Sequence, residues 1–280
     1  MTRGDILITA AELARRLDEG ARTAVLDVRW QLTRPDGRAA YEEAHVPGAV
    51  YVSLEDELSD HSVPGRGRHP LPAGDAVQAA ARAWGISQGV PTVVYDDWNR
   101  AGSARAWWVL TAAGVADVRI LDGGLAAWRA GGYALETGTV APPSGDVTIC
   151  HDDLYRGALP TLTADEAAGF DGVLLDARAP ERYRGDAEPV DPVAGHIPGA
   201  RNAPSTDVLN GEGTFLPVDD LTRLRDRYGA QDEVGVYCGS GVTAAVTVAA
   251  LRAAGVEAAL FPGSWSEWCS DPSRPVASGP

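Results

Sequence analysis

The chain has 280 residues, of which 45% are hydrophobic and 22% are charged, and this composition supports a sizeable core and suits two domains better than one. The formal net charge of −15 at pH 7 disfavours a nucleic-acid partner, because an acidic surface repels a phosphate backbone. No apolar run is long enough to cross a membrane, and the charged N-terminus lacks the apolar stretch of a signal peptide, so we expect a cytoplasmic protein with no membrane partner.

Secondary structure is predicted by short apolar runs that alternate with Ala-rich stretches. The runs are rich in β-branched residues and predict strands, in chain order, at 24–28, 92–95, 118–121, 173–175, 234–237 and 258–261. The Ala-rich stretches predict one helix at 104–113 and another at 243–254, each followed by or ending near a glycine, Gly114 or Gly255. This alternation predicts an α/β fold with a mainly parallel sheet flanked by helices.

The second half of the chain repeats the first. V-L-D-V-R, A-H-V-P-G-A and V-V-Y-D-D in the first half match L-L-D-A-R, G-H-I-P-G-A and V-G-V-Y-C in the second, in the same order. Residues 136–146 are rich in Pro, Gly and Thr, as expected where a linker starts. We therefore predict two similar domains, residues 1–138 and 159–280, joined by a linker at 139–158.

Three cysteines, Cys150, Cys238 and Cys269, have wide and unequal spacing. That spacing fits neither a disulfide framework nor a zinc site, so no metal is expected and a reactive thiol is a candidate. Cys238 follows a predicted strand and precedes two glycines and a helix, whereas the matching position of the first half is Asp96. The loop amides and the helix N-terminus favour an anionic sulfur at Cys238.

C-G-S-G-V-T-A at 238–244 resembles the active-site loop of the mercaptopyruvate sulfurtransferases, and the tandem domains resemble the two-domain form of the rhodanese family. The motifs D-x-R, H-I-P-G-A, D-G-G-L-x-x-W and G-S-W-S-E-W extend the resemblance over nearly the whole chain. It implies two rhodanese-like domains, of which only the C-terminal one is catalytic, with the active site in the cleft between them.

The resemblance also implies roles for particular residues. Cys238 is the expected nucleophile, and Ser240 is expected to donate a hydrogen bond to the donor or to relay a proton. Arg182 matches the arginine that binds the donor's anionic group. His69 and Glu55 match a relay pair that the first domain contributes. The expected amide cradle, which also contacts the substrate, consists of Gly239, Gly241, Val242 and Thr243.

One departure concerns the segment before H-I-P-G. Mercaptopyruvate enzymes often carry a second basic residue there, but 185–195 contains none, and this departure concerns the identity of the donor rather than the reaction type. The histidines His45 and His196 recur in both halves, including the half without the thiol, so we assign them a structural role. The same reasoning covers the paired residues Asp27, Asp176, Arg29, Arg178, Trp128 and Trp268.

The predicted reaction is a double displacement without a cofactor. Cys238 takes the sulfane sulfur of a small donor, 3-mercaptopyruvate, as a persulfide, and an acceptor thiol such as thioredoxin or a low-molecular-weight thiol, or cyanide, then removes it. The alternatives are a thiosulfate-preferring sulfurtransferase and a non-catalytic sulfur-binding or sensing module. A cysteine phosphatase is disfavoured because the loop after Cys238 has no arginine to clamp a phosphoryl group.

Overall fold

The N-terminal domain is built on a five-stranded parallel sheet. The computed structural model describes residues 2–230 and 233–280. Strand order is β1-β5-β4-β2-β3, formed by β1 (Leu7–Ile8), β2 (Ala24–Asp27), β3 (Val50–Tyr51), β4 (Thr92–Tyr95) and β5 (Val118–Leu121). The helices are α1 (Arg3–Ile6), α2 (Ala10–Asp18), α3 (Arg38–Glu43), α4 (Leu54–Glu57), α5 (Gly74–Ala83), α6 (Ala101–Ala112) and α7 (Gly124–Ala130).

The C-terminal domain repeats this plan with a four-stranded parallel sheet of order β7-β6-β8-β9. Its strands are β6 (Val173–Asp176), β7 (Arg201–Asn202), β8 (Val234–Tyr237) and β9 (Ala259–Leu260). The helices are α8 (Ala164–Ala168), α9 (Pro180–Arg184), α10 (Val218–Arg227), α11 (Ala244–Ala253) and α12 (Ser264–Trp268), with 3-10 turns at Leu154–Arg156 and Ser205–Val208. The predicted α/β class with parallel sheets is confirmed.

Predicted strands agree with the structure closely, and the helices differ at their starts. β4, β5 and β8 have the predicted bounds, whereas α6 begins at Ala101 rather than at 104. The earlier start has a local cause: Arg100 has a left-handed backbone with φ 66°, which turns the chain directly into the helix. Domain bounds and the linker at 139–158 stay a prediction.

One hydrophobic core extends across both domains, and each domain also has a smaller core of its own. Helices α6 and α11 pack against each other, and the core that they form contains the buried Trp107 and Trp108 together with Ala245 and Val248. Both helices are buried nearly all round, which explains why their sequences are apolar on every face. Because each helix follows the central part of its own sheet, this packing brings the loops after β4 and β8 to the same interdomain cleft.

Residues that recur in both halves make equivalent structural contacts. Arg29 and Arg178 form buried ion pairs with Asp27 and Asp176, at 2.9 Å and 2.6 Å. Like these pairs, the histidines are buried: His45 stacks on Tyr41, and His196 on Tyr183, and each Nδ1 lies within hydrogen-bond distance of the carbonyl of its stacking partner. These contacts agree with the assigned structural role. Among the described residues, no helix is both long and apolar enough to cross a bilayer.

Candidate active site

Cys238 lies at the end of β8, where its backbone is fixed from one side by α12. The Cys238 N–H donates to Ser264 Oγ at 3.1 Å. Its carbonyl accepts from the Trp265 N–H at 3.0 Å, and the Gly239 carbonyl accepts from the Ser266 N–H at 2.9 Å. Both loop carbonyls are therefore bound by α12, and the Cys238 side chain is only 2% exposed.

The backbone N–H groups of residues 239–243 donate to no atom of the described part of the chain. The loop containing them turns at Gly241, which has φ 76°. A Cβ at this position would lie 2.3 Å from the Pro262 carbonyl oxygen, so glycine is required both by the backbone angle and by the space. The predicted cradle, including Val242 and Thr243, thus has unused amide donors at the start of α11.

A cavity of about 150 Å³ lies over this loop and is bounded by both domains. Trp30, Leu32, Arg68, Trp98 and Asn99 line it from the N-terminal side, while Arg182 and residues 238–240, 242 and 243 line it from the C-terminal side. Leu32 and Trp98 are 43% and 55% exposed and form an apolar rim at the opening. The volume suits a donor of few atoms.

Ser240, His69 and Glu55 form a continuous hydrogen-bonded chain beside Cys238. Ser240 Oγ lies 2.7 Å from His69 Nδ1, and His69 Nε2 lies 3.1 Å from Glu55 Oε1. Because a carboxylate only accepts, we assign the His69 proton to Nε2, which leaves Nδ1 to accept from the Ser240 hydroxyl. The indole N–H of Trp30 donates to the same Glu55 oxygen at 2.6 Å and holds the carboxylate in place.

Burial and hydrogen bonding determine the charges of Glu55 and His69. The hydrogen bond with His69, followed by that from Trp30, lowers the pKa of Glu55 to about 2, so the carboxylate stays ionised. Burial lowers the pKa of His69 below its ordinary value, and the Glu55 carboxylate opposes that shift. We therefore take His69 as neutral at pH 7, which lets it accept a proton through Ser240.

Arg182 projects from α9 toward the cysteine loop. Its Nε and Nη2 donate to Glu188 at 3.2 Å and 2.6 Å, and Nη2 also lies 3.2 Å from Asp191. A second guanidinium reaches the same loop: Arg68 Nη1 donates to Asp191 at 2.5 Å. The absence of a basic residue in 185–195 therefore does not leave Arg182 as the sole arginine at the cavity, because the N-terminal domain contributes Arg68.

Sequence reasoning missed Arg68, Trp30 and Arg105. Arg68 directly precedes His69, and this adjacency to a suspected site residue is a usable signal. Arg105 is a lone cation within the apolar α6 and is fully buried, with its pKa lowered to about 10 by burial. It donates to the carbonyls of Leu58 and His69, both at 3.0 Å, and so fixes the backbone that presents the His69 ring.

In the matching loop of the N-terminal domain, the backbone N–H groups donate to a side chain of the loop itself. Asp96 stands where Cys238 stands, and its carboxylate accepts from the N–H groups of Trp98, Arg100 and Ser103. The Ser103 hydroxyl donates at 2.7 Å, and the Arg100 guanidinium lies 2.9 Å away. This cradle therefore binds an internal anion, the Asp96 carboxylate.

The other two cysteines lie outside the cavity lining. Cys150 is exposed and Cys269 is buried, and all three cysteines are free thiols. Burial raises the pKa of Cys269, which keeps it protonated.

A family model described as the rhodanese-like domain matches residues 9–131 and 161–271. The chain is 63% identical over 279 residues to the putative thiosulfate sulfurtransferase SseB of Mycobacterium tuberculosis, covering 99% of this chain and 98% of that one. It is 47% identical over 283 residues to a probable 3-mercaptopyruvate sulfurtransferase of Pseudomonas aeruginosa, covering 98% of each.

The solved structure of SseA, a 3-mercaptopyruvate sulfurtransferase of Escherichia coli, superposes with a TM-score of 0.81 at 32% identity, covering 95% of this chain and 100% of that one. The chain belongs to the rhodanese family, in its two-domain form, and is a sulfurtransferase. The predicted family, fold and enzyme class are confirmed, whereas the roles of individual site residues stay predictions.

Proposed function

We propose that this protein transfers the thiol sulfur of 3-mercaptopyruvate to a thiol or to cyanide through a persulfide on Cys238. One observation carries the proposal: the buried Cys238 lies at a small interdomain cavity whose loop also bears Ser240, hydrogen-bonded to His69. A nucleophile beside a neutral base that is itself oriented by a third group is the usual arrangement for covalent catalysis.

In the first half-reaction, the Cys238 thiolate attacks the donor sulfur and forms the S–S bond. The donor C–S bond breaks, and its electron pair leaves on the pyruvate enolate. The resulting persulfide is anionic, and the unused N–H groups of residues 239–243 favour that charge, as does the N-terminus of the ten-residue α11. An acceptor thiolate then attacks the outer sulfur and regenerates the Cys238 thiolate.

Ser240 and His69 are proposed to handle the proton of this step. His69 Nδ1 takes the thiol proton of 3-mercaptopyruvate through the Ser240 hydroxyl, and the ionised Glu55 stabilises the imidazolium that forms. The same path returns the proton to the enolate, which becomes pyruvate. No metal or organic cofactor enters the proposed steps.

Thiosulfate is the second candidate donor, because the Mycobacterium tuberculosis relative is named for it. Sulfite leaves thiosulfate without needing a proton, so the Ser240–His69–Glu55 chain has no evident use with that donor. The same chain fits the loss of an enolate, which does need a proton. This difference supports 3-mercaptopyruvate as the preferred donor.

For the acceptor, we propose thioredoxin or a low-molecular-weight thiol. The apolar rim formed by Leu32 and Trp98 offers a contact surface for such a molecule at the cavity opening. Three free thiols also suit the reducing cytoplasm, which we propose as the location.

The test is steady-state turnover with both donors and one acceptor. We expect a higher kcat/KM for 3-mercaptopyruvate, and no sulfur transfer in Cys238→Ser with either donor. A ratio that favours thiosulfate would overturn the donor assignment but leave the Cys238 mechanism standing. Absence of turnover with both donors in the wild-type protein would favour the sulfur-binding module instead.

A further inference from the structure

Arg105 is a buried cation that pairs with no carboxylate of the described residues. It lies on α6 and is fully buried. Within the same part of the chain, its guanidinium donates to backbone carbonyls alone, those of Leu58, His69 and Pro70. By contrast, the buried guanidinium groups of Arg29, Arg100 and Arg178 each pair with an aspartate. Because a buried charge without a counter-ion is costly, this arrangement points to a role for Arg105 beyond packing.

The carbonyls that Arg105 binds belong to the two segments that carry the relay pair. Its Nη2 lies 3.0 Å from the Leu58 oxygen, and Leu58 directly follows α4, which bears Glu55. The same nitrogen lies 3.0 Å from the carbonyl oxygen of His69 itself. One guanidinium therefore fixes the backbone on both sides of the contact between His69 Nε2 and Glu55 Oε1.

The charge of Arg105 also acts on the His69 ring. The charged and titratable groups around that ring are Glu55, His61, Arg68, Arg105 and, on the loop that bears Ser240, Cys238. Burial is the largest cause that lowers the pKa of His69, and Glu55 opposes it. The Arg105 charge lowers this pKa further, and by more than the Arg68 charge does. Since Arg68 is paired with Asp191, Arg105 is the unpaired cation of this group.

We propose that Arg105 is a positioning residue for sulfur transfer, which anchors the segments that carry Glu55 and His69 and keeps the His69 ring neutral through its unpaired charge. This inference rests on the proposed function and extends it to a residue that does not line the cavity. A neutral ring can accept the thiol proton of the donor. Once protonated, it lies near the Arg105 cation and readily gives the proton to the enolate.

The test is the titration of the His69 ring, followed by NMR of the 15N-labelled protein in the wild type, Arg105→Gln and Arg105→Lys. The chain has five histidines, so the His69 signal is identified by its loss in His69→Gln. We expect Arg105→Gln to move the midpoint upward by about one pH unit, because a neutral side chain no longer opposes protonation of the ring. Arg105→Lys should stay close to the wild-type midpoint, since it keeps the charge.

The pH profile of kcat with 3-mercaptopyruvate gives the functional readout. Its acid limb should move to higher pH in Arg105→Gln by the same amount as the His69 midpoint, and should stay in place in Arg105→Lys. The matched control is Val109→Ala, one turn further along α6, where a buried side chain loses packing but no charge. This control should lower thermal stability and leave both the midpoint and the acid limb unmoved.

An unmoved His69 midpoint in Arg105→Gln, or an equal shift in Val109→Ala, would overturn the inference. A loss of kcat that is the same at every pH would also overturn it, by making Arg105 a purely structural residue. If Arg105→Gln does not fold, Arg105→Met is the second neutral variant and should show the same upward shift. Failure of the proposed sulfur transfer is a separate result, because the wild type would then form no persulfide while the NMR titration would still measure the effect of Arg105 on His69.

Discussion

The loops after β4 and β8 are copies of one structure that have opposite uses. Both follow an inner strand, precede a buried helix and carry backbone N–H groups that donate to no backbone carbonyl of the described residues. In the N-terminal copy Asp96 fills those donors with its own carboxylate, whereas in the C-terminal copy Cys238 leaves the N–H groups of 239–243 unused. The comparison shows how one side chain at the strand end converts an anion cradle from a structural element into a reaction site.

The largest effect is expected at His69, which connects Ser240 of the loop after β8 to Glu55. His69→Gln should lower kcat with 3-mercaptopyruvate by about 10²–10⁴, because the enolate loses its proton source, but should change the thiosulfate reaction less than about threefold. His61→Gln is the control, since His61 contacts the other Glu55 oxygen at 3.1 Å and is half exposed. Equal losses with both donors would assign His69 a purely structural role.

The same path predicts the pH dependence. Burial lowers the pKa of His69, so the ring stays neutral to a lower pH than an ordinary histidine does. The rate with 3-mercaptopyruvate should therefore fall as the pH drops through that lowered pKa. Glu55, with a pKa of about 2, stays ionised throughout. A pH profile of kcat for both donors measures this. An acid limb at the same pH with thiosulfate would argue against His69 as its origin.

The next effect tests the loop after β4, in which Asp96 accepts from the backbone N–H groups. Asp96→Asn should lower the free energy of unfolding by about 3–5 kcal/mol, because it leaves the buried Arg100 without its carboxylate and turns an amide toward the Ser103 donors. Asp97→Asn, the neighbouring and less buried change, should cost less than about 0.5 kcal/mol. Urea titration of both variants measures the difference. Similar values for the two would contradict the view that Asp96 fills the cradle.

A smaller effect is expected at the cavity wall. Arg182→Ala should raise the donor KM by an amount that corresponds to about 1.5–3 kcal/mol, because a charge-assisted hydrogen bond to the donor is lost. Arg184→Ala is the control, since Arg184 lies on the same helix and pairs with the exposed Asp186 at 2.7 Å. An unchanged KM in Arg182→Ala would return Arg182 to a simple ion-pair role with Glu188 and Asp191.

Much of this comparison was accessible from the sequence. The repeated motifs located both loops, and the apolar runs predicted β4, β5 and β8 with the observed bounds, because buried parallel strands are short apolar segments rich in β-branched residues. Cys238 stood out because its counterpart is Asp96. His69 and Glu55 came only from the resemblance, and the structure places His69 within hydrogen-bond distance of both Ser240 and Glu55.

What the sequence could not predict depends on how the domains meet. Arg68 is separated from Asp191 by 123 residues, and their contact exists only because the loop at Gly67 docks on Gly263. The hydrogen-bond partners of Asp96 could not be predicted, since three of them are backbone N–H groups. The spacing of apolar residues predicts which strands and helices are buried, but it does not predict contacts between loops of different domains.

The most direct test of the account is the intact mass of the protein after donor treatment without an acceptor. One added sulfur is predicted on the wild type and on the Cys150→Ser/Cys269→Ser double variant, and none on Cys238→Ser, because only the cradle after β8 is open to hold a persulfide. Added sulfur retained in Cys238→Ser, or lost from the double variant, would contradict the account.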